Sequence, residues 1–308
     1  MIHEMKKATV LFTLMAACLL CSCEKNIGTD DYKLKVNAAI SEASDAHTKG
    51  ELLNNDGSIK PLEDYWNSSF DVMAWKGSTQ YFTSLETATY TGSTWSLGGS
   101  YIWTPGDELT FCAYANLPEG SSVSRTAAGT QTLTHTVNTT VSDQKDIILG
   151  YYSGTGEQNT TDHTITAPIK FYHPLTAVRF RVGSVGSITI SSITLKGVYK
   201  QGTVTQSSSN ENASAWTASQ TFDFTSAPAT ATSDYWLLIP QDFTTGSPLK
   251  VEARDSEGHV YKASLAVKWE ADHTYDYVLN YSHETGISFS VSFGQWENVS
   301  SSGIDLQQ

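Results

Sequence analysis

The stretch Ile287-Ser288-Phe289-Ser290-Val291-Ser292-Phe293 alternates apolar and hydroxyl side chains without a break. Neighbouring side chains of a strand point to opposite faces, so such a run buries one face and wets the other. Upstream the same period returns at Leu34, Val36, Ala38 and Ile40, at Phe70, Val72 and Ala74, and at Leu109, Phe111 and Ala113. A dense apolar stretch holding Ala177, Phe180 and Val182 precedes Ile188, Ile190, Ile193 and Leu195. Further runs lie at residues 235–240, 249–253, 260–267 and 275–281. Turn-forming clusters separate them: Asn55-Asp56-Gly57, Pro105-Gly106-Asp107, Pro118-Glu119-Gly120 and Ser256-Glu257-Gly258, rich in residues that tolerate or preset turn dihedrals. No long amphipathic helix is predicted, and residues 58–66 fit either short helical turns or loop. Many short strands with turns between them predict an all-β fold of the sandwich kind.

A chain of 308 residues suggests about two domains. Residues 153–166 are polar and Gly-bearing, and a dense apolar signal restarts at Ile169. The expected division is therefore a signal at 1–22, a tether at 23–31, an N-terminal β-sandwich at 32–167 and a C-terminal β-sandwich at 168–308. Residues 121–140 are rich in Ser and Thr and, like residues 206–218, are expected to be mobile excursions.

The formal net charge is -13. Such a chain repels a phosphate backbone, so no nucleic-acid partner is expected. The 15 Tyr and 8 Trp suit either sandwich cores or an aromatic platform that stacks on sugars; Trp66, Trp75, Trp95 and Trp103 are the candidates for the second.

Lys6 and Lys7 precede a short apolar run at residues 8–20, and Leu20-Cys21-Ser22-Cys23 follows. This is an export signal and not part of the fold. The tetrapeptide resembles a bacterial lipobox. The resemblance implies cleavage before Cys23 and attachment of diacylglycerol to its thiol, a lipid anchor in the membrane. One acyl chain holds a protein marginally and several hold it firmly, at about 0.8 kcal/mol per buried CH₂. Cys18 and Cys21 would leave with the signal and Cys23 would carry lipid, so Cys112 is the one thiol left and no disulfide is expected within the mature chain. Its setting, Leu109-Thr110-Phe111-Cys112-Ala113-Tyr114, reads as a buried small hydrophobe.

Several stretches, in order, resemble the fimbrillin family of Gram-negative gut and oral anaerobes. Tyr101-Ile102-Trp103-Thr104-Pro105-Gly106-Asp107-Glu108-Leu109-Thr110-Phe111-Cys112-Ala113-Tyr114 is similar to that family's Trp-Pro, Leu-Thr-Phe, Ala-Tyr segment. Ile169-Lys170-Phe171-Tyr172-His173-Pro174-Leu175-Thr176-Ala177-Val178 is similar to its Phe-x-His-x-Leu-x-x-Val strand. Residues 188–202 resemble the hairpin that follows. Tyr235-Trp236-Leu237-Leu238-Ile239-Pro240-Gln241 and Trp269-Glu270-Ala271-Asp272-His273-Thr274-Tyr275-Asp276-Tyr277 resemble two later strands, with Ala271-Asp272 where the family often has Gly.

The resemblance implies two tandem transthyretin-like β-sandwich domains after a lipoprotein signal peptide. It also implies an outer-membrane lipoprotein of the cell surface that builds a fimbrium, with other fimbrial subunits as partners and a host or bacterial surface ligand. In shaft subunits of the family a protease removes the first strand, and a C-terminal strand of another subunit fills the groove. Carried onto this chain, the displaced first strand is Leu34, Val36, Ala38 and Ile40. The proteolytic site is Lys49-Gly50, after Thr48, where the family usually has Arg. The candidate donor strand is Ile287, Phe289, Val291 and Phe293, with Ile304 and Leu306 in the tail. Four such side chains contribute about 6–12 kcal/mol gross, at about 1.5–3 kcal/mol each. The same run also reads as the last strand of its own sandwich, with the tail as the exchanged part. The alternative function is a non-polymerising surface lipoprotein that binds glycans.

No catalytic chemistry is read from the sequence, and no cofactor or metal is expected. The 8 His are scattered without metal-ligand spacing. Residues 183–187 read GSVGS, which is not the Gly-x-Ser-x-Gly of a nucleophile elbow. His173 and His273 are expected to be structural.

Overall fold

The computed structural model describes residues 32–40, 69–91, 94–126, 129–230, 235–282, 286–295 and 300–302. These residues form an all-β sandwich fold of several sheets, with one 3₁₀ turn at Val141–Asp143. Their buried apolar side chains gather into two large clusters and a small third one.

The first cluster is enclosed by a sheet that runs Trp95–Leu97, Glu86–Tyr90, Ser69–Lys76, Leu109–Ala115, Ile148–Gly154, Thr164–Tyr172, Tyr32–Ile40 and Ile102–Trp103. Ser69–Lys76 and Leu109–Ala115 form its antiparallel centre, with Val72 opposite Ala113 and Ala74 opposite Phe111, all four fully buried. Phe70 packs on Trp95 and Phe171, with ring centroids 4.8 and 5.1 Å away. Gly150 makes room for this cluster: a Cβ there would lie 2.7 Å from the Phe171 ring and 2.9 Å from Ile169.

Thr164–Tyr172 carries Pro168, which has no N–H to give a ladder. The strand solves this by leaving a gap. On one side it pairs with Glu157–Asn159 through residues 164–166 and with Ile148–Gly154 through residues 170–172. Pro168 lies between the two registers. The expected domain division at 167/168 therefore falls inside this strand, which belongs to the first sheet throughout.

The second cluster lies between two sheets. One runs Trp236–Leu238, Thr176–Val182, His273–Ser282, Gly286–Gln295 and Ser300–Ser302. The other runs Val260–Leu265, Leu249–Asp255, Ile190–Gln206, Thr130–Thr136 and Ser122–Thr126, and Trp216–Ser226 also pairs with Ile190–Gln206. Phe180 is the hub, stacked between Tyr277 at 4.5 Å and Trp236 at 5.3 Å and met edge-on by Phe289 at 5.8 Å.

Two expectations are corrected here. Residues 121–140 hold a hairpin, Ser122–Thr126 with Thr130–Thr136, that adds itself to the long strand Ile190–Gln206 through residues 201–206. Its inward positions are Gln131, Leu133 and His135, all buried. Residues 206–218 close a tight bridge between Ser207 and Asn210 and then enter the strand Trp216–Ser226. The hairpin interrupts the first sheet in sequence, between Leu109–Ala115 and Ile148–Gly154, yet completes a sheet over the second cluster. Gln131 fastens the seam: its Nε2 donates to the carbonyls of Ala113 (2.8 Å) and Gly150 (3.2 Å) and to Gln206 Oε1 (2.5 Å). Gln206 donates in turn to the carbonyl of Leu149 at 3.2 Å.

Candidate functional site: the leading strand and its bed

Tyr32–Ile40, the leading strand, lies parallel to Thr164–Tyr172 in unbroken register from Lys33 opposite Thr164 to Ile40 opposite Phe171. Leu34 faces Ile165, Val36 faces Ala167, Ala38 faces Ile169 and Ile40 faces Phe171. The sequence alternation of one strand thus matches, step for step, that of the other, and Ile165, Ala167, Ile169 and Phe171 are all buried. Leu34 and Val36 are 4% and 3% exposed and belong to the first cluster, and Ala38 is half-buried against it. Burying Leu34 and Val36 contributes about 1.5–3 kcal/mol each. The side chain of Ile40 lies outside the described residues.

The opposite edge of the leading strand is much less engaged. Tyr32 and Lys33 pair with Trp103 and Ile102, and the Leu34 N–H donates to the Tyr101 carbonyl at 2.8 Å. Beyond Leu34, among the described residues, the strand has a ladder on one side only. Tyr32 adds a tilted ring contact to His163 at 5.3 Å.

Gly286–Gln295, the closing strand, is held differently. It pairs antiparallel with His273–Ser282 along its whole length, from Gly286 opposite Ser282 to Gln295 opposite His273. On its other side, residues 291–293 pair with Ser300–Ser302. Ile287 and Phe289 are 8% and 2% exposed within the second cluster. The backbones of Val291 and Phe293 stand opposite Tyr277 and Tyr275, while their side chains lie outside the described residues. The strand it leans on is clamped in turn. Asp276 accepts from Arg179 Nη2 and Arg181 Nη2, each at 2.7 Å. Burial opposes its charge, but hydrogen bonds from Arg181 and Arg179 outweigh that and hold the carboxyl below its usual range.

Cys23, Lys49, Gly50, Ile304, Leu306 and Trp66 lie outside the described residues. Trp75, Trp95 and Trp103 are at most 5% exposed and present no open platform for sugar stacking. Burial pushes the Cys112 thiol up to about 12 despite the nearby Arg125 charge, so it stays protonated. His173 is buried against Asp146 at 3.0 Å, a packing role. Sequence reasoning missed the bed itself. Its signal is the alternation of Ile165, Ala167, Ile169 and Phe171, whose first half reads as linker in the sequence. Among the described residues no three His, Cys, Asp or Glu gather as a metal site, and no helix is long and apolar enough to cross a membrane.

These features define a class: an all-β sandwich protein whose first strand rides parallel on one neighbour at a lightly engaged edge. The fimbrillin-like family profile matches residues 63–296, and the chain belongs to that family. Among solved structures, the fold is similar to that of a proposed cell adhesion protein from Bacteroides uniformis, with 13% identity, TM-score 0.55, and coverage of 87% of this chain and 99% of the other. It is similar also to a fimbrial protein from Bacteroides vulgatus, with 15% identity, TM-score 0.53, and coverage of 86% and 99%. A proposed cell adhesion protein from Bacteroides ovatus gives 15% identity, TM-score 0.52, and coverage of 89% and 98%. No curated protein sequence matches. The family membership supports a fimbrial or adhesive role at a cell-surface appendage, in association with other fimbrial subunits, and points to a structural and not an enzymatic protein.

Proposed function

We propose that this chain is a fimbrial subunit built into its fibre by strand exchange, as two tandem sandwich domains anchored beforehand by lipid on Cys23 in the outer membrane. A trypsin-like protease cuts after Lys49 and releases the leading strand. The vacated bed, lined by Ile165, Ala167, Ile169 and Phe171, then takes a strand from another subunit, which supplies backbone pairing for lifetime and alternate side chains for fit. The observation that carries this reading is the leading strand itself: near the chain's start, paired in parallel on one side beyond Leu34, and matched residue for residue to a buried row. The burial of Ile287 and Phe289 in their own sandwich favours the tail with Ile304 and Leu306 as the donated part.

The test is limited digestion of the intact chain with a trypsin-like protease, followed by gel analysis in mild detergent. Loss of the segment ending at Lys49 should give ladders of multiples, and a Lys49→Gln chain should give none. A cleanly trimmed chain that stays monomeric at high concentration would sink the proposal.

A further inference from the structure

A protease that cuts after Lys or Arg needs the flanking backbone loose enough to enter its cleft, and exposed loops meet that need far more readily than laddered strands. Every Lys and Arg among the described residues except Lys145 lies in a strand. The two least sheltered of these are fastened as well. Lys76, beside a tight turn, pairs with Thr79 across it and binds Asp107 at 2.5 Å through its ammonium. Lys268 lies in a strand of two residues, but its carbonyl, the group a protease attacks, accepts from the Tyr275 hydroxyl at 2.7 Å.

Lys145 is different. It is exposed and stands between the 3₁₀ turn Val141–Asp143 and the strand Ile148–Gly154, where the chain passes from the hairpin back into the first sheet. By residue type and exposure it is an open target, yet its neighbours are fixed on both sides. Before it, the Gln144 N–H donates to the Val141 carbonyl at 3.2 Å. The Gln144 side chain accepts from the Leu237 N–H at 2.7 Å and donates to the Asn138 carbonyl at 2.8 Å. After it, Asp146 is buried against His173 at 3.0 Å, and its carbonyl accepts from Asn116 Nδ2 at 3.2 Å. Ile147 is fully buried. Lys145 is thus the top of a short arch with both feet tied down.

We infer that Lys145–Asp146 is a latent cleavage site for a Lys/Arg-specific protease, held shut by the Gln144 clamp, so that the fold and not the recognition residue decides where such an enzyme cuts. The step withheld is hydrolysis: water adds across the peptide bond and leaves a carboxyl on Lys145 and an amine on Asp146. A cut there would part the hairpin from the first sheet, a connection that maturation at Lys49 has to spare. The inference rests on the maturation reading for the class of protease, and it concerns a different bond.

The test is timed digestion of the folded, intact chain with trypsin, with the new termini mapped by mass spectrometry. The parent chain should stay whole at Lys145. Gln144→Ala should open that bond at least about tenfold faster, because the segment then detaches more often without two of its ties. Gln144→Glu, which keeps the acceptor for Leu237 and loses the donor to Asn138, should fall between. Adding Lys145→Gln to Gln144→Ala should abolish the new cut. Prompt cutting at Lys145 in the parent, or none in Gln144→Ala, would overturn the inference. Cuts spread through the strands of Gln144→Ala would show that the glutamine supports the whole fold and would overturn a local clamp. An uncut Lys49 beside the expected behaviour at Lys145 would refute the maturation reading and leave the clamp standing.

Discussion

The leading strand and the closing strand look alike in sequence, and the fold treats them differently. Each alternates apolar and polar residues, and each buries two large apolar side chains among its described residues, Leu34 and Val36 in one and Ile287 and Phe289 in the other. Tyr32–Ile40 rests on one parallel neighbour, with a short antiparallel contact at its start. Gly286–Gln295 has an antiparallel partner along its full length and a second partner over residues 291–293. The lesson is that pattern tells which face is buried, while the number of ladders tells how readily a strand can leave. A strand with one neighbour gives up one set of backbone bonds on departure and leaves a bed behind it. A strand with two neighbours takes a sheet apart.

The largest contrast should come from deletion. A chain beginning at Gly50 should still fold around the second cluster and give a sharp thermal transition for it, whereas one ending at Thr285 should lose that transition. If both deletions melted alike, the asymmetry would be false. Point changes sharpen the same comparison. Phe289→Ala, at the edge of Phe180, should cost about 3–5 kcal/mol in denaturant unfolding, as large aromatic truncations in cores do. Leu34→Ala should cost less, nearer about 2–3 kcal/mol, because the lightly held edge can settle into the gap. It should also hasten cleavage at Lys49.

The seam gives a smaller effect. Gln131→Leu strips a donor from the carbonyls of Ala113 and Gly150 and from Gln206. Unpaired buried acceptors cost about 1–3 kcal/mol, and calorimetry should show unfolding at lower temperature than in the parent chain.

The smallest effect is a pH slope near the closing strand. Burial raises the Asp272 carboxyl from 3.8 to about 6, although His173 and His273 pull it down. Its folded value lies above its unfolded one, so between the two the folded state holds more proton. This residue's contribution therefore favours folding most below pH 3.8, declines as pH rises and levels off above about 6. Asp272→Asn should remove that decline, and Asn tolerates the positive φ of 62° found there. Melting temperatures of the two chains across pH 4–7 check it: a constant offset would refute the assignment.

Much of this architecture was legible in the residues. The alternation of Ile287 and Phe289, or of Leu34 and Val36, names a strand and its buried face because water rejects those side chains. What escaped was every place where a polar residue occupies an inward slot. The hairpin Ser122–Thr136 buries Gln131 and His135 beside Leu133. Hydropathy reads that segment as solvated, although Gln131 is fully satisfied on its donor side by carbonyls 18 and 19 residues away in sequence. The bed was hidden for another reason. Pro168 and the Gly-bearing approach to it look like a linker, and only the gap between two partial registers makes proline harmless there. Parallel pairing of residues 33–40 with 164–171 leaves no local trace, since its partners are distant and no turn joins them.

The hairpin carries a mechanical consequence. It leaves the first sheet, joins the sheet over the second cluster and is sewn back by Gln131 and Gln206. Tension drawn between the two clusters cannot be relieved by stretching a slack hinge at the hairpin, because its strand is laddered to residues 201–206 and tied by Gln131 and Gln206 to backbone carbonyls of the first sheet. Pulling the hairpin away from the long strand would load six residue pairs, 201–206 with 131–136, together with the glutamine bonds at the seam, and so resist stretching more than a bare linker would.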